Sequence, residues 1–378
     1  MAYTLGIDLD VDQVKLCLLH VEAPQRVPYV DWLIFKVPFH FGPDYYCEFG
    51  SALMETIAHF LFVKKLGPQQ VNRIYFVAGN PYSPFHHFEE GLHYTANMFI
   101  QSLFDPERVG ILRCDGKPMA PRELLQVKGE NASAFVNTQF YGSAYIASRL
   151  YKNAVLFESG ASTTHITPIL KARIDHQGRG KLPKYLRYRL AHRQLLPVGG
   201  LFTPINQIMS TIPLADGDVL PTPRICRMVV IASLLKYIHP EIAREHDFPL
   251  LEEKDARILL ARGVGLDVQS LTDRELIQIA QGVYEHLADT TTESFTAVLA
   301  RQKRMADQMT LVSSGVLGKP LIHHGLRKNK ALQQRVVHLA DKLPHRLHEA
   351  SSAYGAALYA MDRLLDTSIA PDRVEVMP

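Results

Sequence analysis

Three apolar runs open the chain at close spacing. Tyr3 to Ile7 ends in Asp8. Val14 to Val21 follows after an acidic stretch, Asp8-Leu9-Asp10-Val11-Asp12-Gln13, and Tyr29 to Val37 is the third run. Short apolar runs bounded by polar residues predict strands. From Phe49 to Phe62 the period changes. Leu53, Ile57, Phe60 and Leu61 share one face, which predicts a helix. Val71 to Ala78 returns to a strand, and Asn80-Pro81-Tyr82-Ser83-Pro84 breaks it into a loop. A helix over Gly91 to Leu103, a strand over Val109 to Arg113 and a short helix over Pro121 to Val127 follow. Small and aromatic residues from Asn131 to Tyr151 predict one close-packed helix.

The opening pattern then recurs. Ala154 to Phe157 is apolar and ends in Glu158. Ser159, Gly160, Ala161, Ser162, Thr163 and Thr164 form a turn, His165 follows, and Ile166 to Leu170 is a second strand. Gly160 permits backbone geometry that a Cβ forbids, so amides can converge on an anion, and the hydroxyls add donors. The alternative is an ordinary Ser/Thr-rich hairpin. Lys184 to Arg189 alternates in a way that favours a strand. In Leu195 to Ile205, Gly199-Gly200 allows a close turn and Pro204 opens a short helix. Ile225 to Ile238 and Leu251 to Gly263 predict helices. Thr272 with Glu275 makes a capping box for a helix reaching about Leu299, with a break near Asp289 to Thr292. Met309 to Ser313 is a strand that runs into Ser314, Gly315 and Gly318, a turn suited to phosphate. Leu332 to Ala340 reads as a strand and turn, Ser351 to Leu365 as an Ala-rich helix, and 369–378 as a tail.

Composition bounds the function classes. The 378 residues are 47% hydrophobic and 21% charged, enough for two lobes. A net charge of +3 does not point to nucleic acid. No apolar stretch is long enough to span a membrane, and the four dispersed cysteines, with no CxxC, fit a cytoplasmic protein. His86, His87, Glu89, Glu90 and His93 lack metal-site spacing and suit a polar helix start or substrate contacts. The stretch from Lys171 to Arg193, with Arg173, His176, Arg179, Lys181, Lys184, Arg187, Arg189 and His192, is either a solvated basic hairpin or a local field for an anionic ligand.

Three features line up: an N-terminal strand–acid turn, a mid-chain strand–acid–hydroxyl turn, and a late strand–glycine turn before an Ala-rich helix. In order and spacing the chain resembles the acetate kinase/actin-like (ASKHA) superfamily. Within its hydantoinase A-like branch it resembles the tetrahydromethanopterin-linked one-carbon transfer pathway proteins, which include a methanofuran-type synthase. The family's second turn, approximately D-I-G-S-T-T-T-D, is matched by Glu158, Gly160, Ser162, Thr163 and Thr164, with His165 in place of the last acid. Its G-x-x-R-T-P is matched by Gly199 to Pro204, with Phe202 where arginine is usual. Its first turn keeps only Asp8.

The resemblance implies an α/β, two-lobed actin/acetate kinase-like (ribonuclease H-like) fold with a central cleft. It divides the chain into a first lobe over 1–150 that takes back a helix over 351–368, and a second lobe over 151–350. It implies a transferase for a methanofuran- or methylofuran-type one-carbon carrier. That enzyme joins a tyrosine- or tyramine-derived phenol to an aminomethylfuran diphosphate and releases pyrophosphate. Asp8 and Glu158, with Asp10, would hold Mg2+ or water. Gly160, Ser162, Thr163, Thr164, Gly199 and Thr203 would hold the diphosphate, and Ser314, Gly315 and Gly318 would line the opposite wall. Lys15 or the basic segment would supply charge. His165 is either a base toward the phenol or structural. Phe202, Tyr141 and Tyr145 line a pocket for the aromatic amine or belong to the core. Two other readings stay open: a degenerate scaffold or regulatory subunit of the same pathway, and an ATP-dependent kinase or hydrolase. The expected partners are small molecules, with a homodimer or a biosynthetic complex as the assembly, and neither nucleic acid nor membrane.

Overall fold

A computed structural model describes residues 1–10, 13–22, 27–36, 43–79, 85–175, 184–223, 225–245 and 251–376. Asp12, the Asn80–Pro84 loop, His176, Arg179 and Lys181 lie outside these residues. In chain order the strands are β1 (Ala2–Leu9), β2 (Gln13–Val21), β3 (Tyr29–Lys36), β4 (Arg73–Ala78), β5 (Val109–Leu112), β6 (Pro118–Met119), β7 (Ala154–Ser159), β8 (Thr164–Leu170), β9 (Arg173–Ile174), β10 (Leu195–Leu196), β11 (Ile212–Leu214), β12 (Gly217–Val219), β13 (Thr310–Ser314), β14 (Val336–His338) and β15 (Glu375–Val376). The helices are α1 (Pro43–Val63), α2 (Phe88–Ile100), α3 (Pro121–Leu124), α4 (Phe140–Leu150), α5 (Tyr185–Ala191), α6 (Ile205–Ile208), α7 (Met228–Leu234), α8 (Pro240–Glu245), α9 (Glu253–Gly263), α10 (Asp273–Ala300), α11 (Gly318–Gly325), α12 (Lys330–Gln333) and α13 (Ser351–Leu365).

The chain divides into two compact units. The first comprises Met1–Lys152, Ile169–Arg189 and Ala340–Pro378; the second comprises Asn153–Pro168 and Leu190–Leu339. In the first unit the sheet runs β15-β3-β2-β1-β4-β5-β6. β1, β2 and β3 are antiparallel, whereas β4 and β5 join β1 in parallel. In the second unit the order is β10-β8-β7-β13-β14. The short turn between β7 and β8 requires them to run antiparallel. β10 is antiparallel to β8, and β13 and β14 are parallel to β7. Each unit therefore repeats one plan, a three-strand meander followed by two parallel strands on the side of the first strand. The recurrence of strand, acid, turn and strand in the sequence is the visible trace of that repeat.

The first unit is organised by α13. Strand residues two apart share a face. Thr4 donates to the carbonyl of Ala357 at 2.9 Å, Gly6 lies against the α13 backbone, and Ser352 bonds Asp8. On the strands' other face, Phe76 of β4 meets Phe99 of α2 edge to face, with centroids 5.6 Å apart. α4 crosses α13 where Gly142 and Gly355 meet backbone to backbone. Tyr141 and Tyr145 pack with Tyr359 in this unit's core, and the Tyr145 hydroxyl donates to Asp362 at 2.7 Å.

Four local expectations change. Tyr185 to Arg189, within the stretch read as a strand, belongs to a helix, α5. Its buried residues, Tyr185 and Arg189, are four apart, and the Arg189 guanidinium lies 3.6 Å from the Phe140 ring centre. α10 runs unbroken through Asp289 to Thr292, because the Thr291 and Ser294 hydroxyls return hydrogen bonds to the preceding turn. The stretch from Asn131 to Tyr151 is a 3₁₀ segment over Gly129–Phe135 and then α4, separated by Asn137 at φ 53°. The amides of Asn137 and Thr138 turn aside to the carbonyls of Gly79 and Ala78. Finally, the stretch read as a tail adds β15 to the sheet, pairing Glu375 and Val376 with Tyr29 and Val30.

Cys17, Cys114 and Cys226 are buried free thiols. Burial pushes Cys114 and Cys226 up to about 12, and burial with the nearby Asp31 charge raises Cys17 well above its usual value. A thiol whose folded value exceeds its unfolded value contributes stability below the unfolded value. That contribution is lost as pH rises toward the folded value. The melting temperature should therefore fall progressively above about pH 9, and less steeply in Cys226→Ala. Iodoacetamide at pH 8 should leave these three thiols of the folded protein unmodified, as peptide mass spectrometry would show.

Candidate functional site

The second unit carries a tightly braced turn at the end of β7. The Gly160 amide donates to the Thr163 carbonyl at 2.9 Å and closes the turn. The 199–202 loop lies across this turn. Gly200 donates to Gly160, and Leu201 and Phe202 both donate to the Ala161 carbonyl, at 2.8, 3.0 and 2.9 Å. A Cβ on Gly199 would sit 2.5 Å from both the Ser162 carbonyl carbon and the Thr163 nitrogen, so only glycine allows this approach. The carbonyls at the base of the turn are thereby consumed. Among the described residues, no acceptor meets the backbone amides of Ala161, Ser162 and Thr163. Three consecutive amides without an internal acceptor leave a local excess of backbone donors at this turn.

The hydroxyls divide by role. Thr164 is buried and donates to the Val198 carbonyl at 2.8 Å. Thr203 accepts from the Gly199 amide at 2.7 Å and donates to the Gly199 carbonyl at 3.0 Å. Both therefore fix the loop against the turn. The Thr163 hydroxyl meets Nε2 of His165 at 3.2 Å, and His165 is only 1% exposed. The Ser162 hydroxyl, on a half-buried residue, makes no described bond. Glu158 pairs in register with Ser314 across β7 and β13, so the two side chains share a face. Ser314 is 7% exposed, and its hydroxyl has no hydrogen-bond partner among the described residues. Gly315, at φ 86°, abuts the Ser159 carbonyl, where a Cβ would stand 2.1 Å away. α11 begins three residues later at Gly318, close to the end of β7. The sequence-read residues Glu158, Gly160, Ser162, Thr163, Thr164, Gly199, Thr203, Ser314, Gly315 and Gly318 thus gather within one unit.

Asp8, Asp10 and Lys15 gather in the other. Between β1 and β2 the Asp10 amide donates to the Gln13 carbonyl at 2.9 Å, as the Gly160 amide does to Thr163. Asp8 stands two residues before this closing amide, as Glu158 stands two before Gly160. Asp8 is 2% exposed, accepts a hydrogen bond from Ser352, and lies 3.8 Å from Lys15, its register partner on β2. Ser352 is the residue that sequence reading missed. Its only signal was a Ser-Ser pair at the start of the Ala-rich helix, a pattern that also fits an ordinary helix start. Near α2, His93 bonds the Val127 carbonyl and Glu89 accepts the Gly129 amide. Among the described residues no cluster of three His, Cys, Asp or Glu is arranged for a metal. Arg193 pairs with Glu293 at 3.9 Å, and Arg189 is spent on Phe140.

Among solved structures, nucleotide-free acetone carboxylase is similar, with a TM-score of 0.51, 10% identity, and 94% of this chain and 70% of that one covered. The likeness is one of fold, an actin-like α/β fold. Also similar are component A of (R)-2-hydroxyglutaryl-CoA dehydratase from Acidaminococcus fermentans and a ROK family glucokinase from Streptomyces griseus in complex with glucose and AMPPNP. The first has a TM-score of 0.41 and 14% identity over 97% of this chain and 100% of that one. The second has a TM-score of 0.37 and 10% identity over 96% and 100%. No family model and no curated protein sequence matches the chain. Among the described residues no helix is long and apolar enough to cross a membrane.

Proposed function

We propose that the second unit binds the phosphoryl groups of a diphosphate-bearing substrate in the Gly160–Thr163 turn. The observation that carries this reading is the row of unspent amides at Ala161, Ser162 and Thr163, held open by the 199–203 loop. Backbone dipoles fixed before binding stabilise an oxyanion without reorganising, which suits a leaving diphosphate. Ser162 adds a hydroxyl donor, and Ser314 has a spare one beside Glu158. Thr164, Thr203 and His165 are positioning residues that keep the turn in shape.

Mg2+ commonly binds through one or two carboxylates together with substrate phosphates. Within the second unit, Glu158 at the end of β7 would be the carboxylate that meets, through water, an ion arriving with the diphosphate. Such an ion would neutralise charge on the diphosphate.

The sequence resemblance to methanofuran-type synthases supplies the finer reading. A phenol oxygen forms a bond to the furanylmethyl carbon, the carbon–oxygen bond to diphosphate breaks, and the phenol proton passes to solvent or a base. This chain's part in that reaction is to hold the departing diphosphate and keep it in line.

Calorimetry with pyrophosphate, ADP and ATP, each with Mg2+, tests the reading. Pyrophosphate should bind one per chain, and Ser162→Ala should weaken it about threefold to tenfold, the worth of one hydrogen bond. Binding that requires the adenine nucleotide would replace the synthase reading with an ATP-dependent one. No binding of any of the three to folded protein would leave a scaffold and overturn both.

A further inference from the structure

We infer that His323 and His338 of the second unit form a binding site for one divalent late transition-metal ion, such as Zn2+ or Cu2+. Strand pairing places Ser313 of β13 directly opposite His338 of β14, so both side chains rise from the same face of the sheet. α11 brings His323 onto that face. The two Nε2 atoms lie 3.0 Å apart while the ring centres are 5.0 Å apart, so the rings converge toward the space between these nitrogens. Two bonds of about 2.0–2.1 Å to a single ion set the nitrogens roughly 2.9 Å apart at a right angle and roughly 3.3 Å apart at the tetrahedral angle. The observed separation lies between them.

The second layer of contacts has the form such a site requires. Nδ1 of His338 lies 2.5 Å from the Ser313 hydroxyl. When that oxygen accepts the Nδ1 proton, the Nε2 lone pair faces Nε2 of His323 and accepts its proton, and an ion would take the place of that shared proton, as metal-bound histidines normally arrange. His323 is held from behind, its carbonyl accepting from Gln333 Nε2 at 2.8 Å. His338 is 7% exposed whereas His323 is half-buried, which leaves an approach from the His323 side. No third carboxylate, thiol or imidazole joins them among the described residues, so solvent completes the coordination. Such an imidazole pair favours late first-row metals, Cu2+ above Zn2+. An ion there would tie α11, which starts beside the anion turn, to the edge strand β14.

Chelator-treated full-length protein titrated with Zn2+ and with Cu2+ tests the site. One ion per chain should bind more tightly than the rest, and the Cu2+ spin-resonance spectrum should show coupling to imidazole nitrogens. His323→Ala should weaken that ion at least about tenfold, and Ser313→Ala about tenfold. The double variant His86→Ala/His87→Ala, which removes two exposed histidines, should leave it unchanged. His323→Ala must melt cooperatively for the comparison to count, and a half-buried helical position allows that. His323→Ser serves in its place if it does not. Equal affinity in wild type and the His323 variants, or loss in the His86/His87 variant instead, would overturn the site. Pyrophosphate binding is a separate measurement, so either result can fail alone.

Discussion

Gly6→Val should unfold the first unit or leave it barely stable, losing about 3 kcal/mol or more in chemical denaturation. Gly6 lies in the middle of β1, where α13 comes closest. A Cβ there would stand 1.9 Å from the Ala353 carbonyl oxygen and 2.6 Å from the Ala357 nitrogen. Both are backbone atoms of a long buried helix, so no side-chain rotation relieves the clash. The strand and helix would have to separate, and with them the Thr4–Ala357 and Ser352–Asp8 hydrogen bonds. Glycine in a strand interior costs conformational entropy, and here it marks close approach of another backbone. Gly282→Ala is the contrasting case. Gly282 sits within α10 with nothing within 4 Å of its virtual Cβ, so alanine should raise stability by about 0.5–1 kcal/mol. A Gly6→Val protein that melts like wild type would mean that α13 does not pack there as described.

Gly199→Ala should abolish or severely weaken pyrophosphate binding, by at least about tenfold, equivalent to about 1.4 kcal/mol, in protein that still folds. Its methyl group would enter the backbone of the turn, 2.5 Å from the Thr163 nitrogen, one of the three unspent amides. The turn must shift, and the Thr163 amide with it. Thr203→Val, which cuts both bonds to Gly199 but adds no bulk to the turn, should weaken binding less. Full-strength pyrophosphate binding by Gly199→Ala would place the phosphates somewhere other than this turn.

How much of this was legible follows the range of the interactions. The hairpins at Asp8 and Glu158 were readable because an apolar run, an acid and a short turn are local features. So was the capping box, where Thr272 accepts from Glu275 and the Glu275 carboxylate bonds back. The α5 segment was misread because Lys184 to Arg189 satisfies two periods at once. Phe140, distant in sequence, settled the choice by receiving Arg189. The apparent break in α10 was misread because Thr and Ser favour turns, yet their hydroxyls can also bond the preceding turn of a helix.

The candidate site shows the same division. Ser162, Gly199 and Gly315 were identifiable as turn formers from their residue types alone, whereas position 160 does not require glycine, since φ is not positive and a Cβ would meet only the Thr163 carbonyl oxygen at 3.4 Å. That Thr164 and Thr203 fix the loop while Ser162 stays unspent depends on where Val198 and Gly199 come to lie. Ser352 at Asp8, and the His323–His338 pair, join residues far apart in sequence and carry no local pattern. By itself the sequence determined the strand–acid–turn–strand units, the helix caps and the glycines on which close turns depend, because these follow from φ/ψ limits and periodicity within a few residues. Only the tertiary structure decided which amides remain unpaired, which hydroxyls support and which are available, and which histidines converge. Those outcomes are set by hydrogen-bond partners that reach one another only once the two sheets have formed.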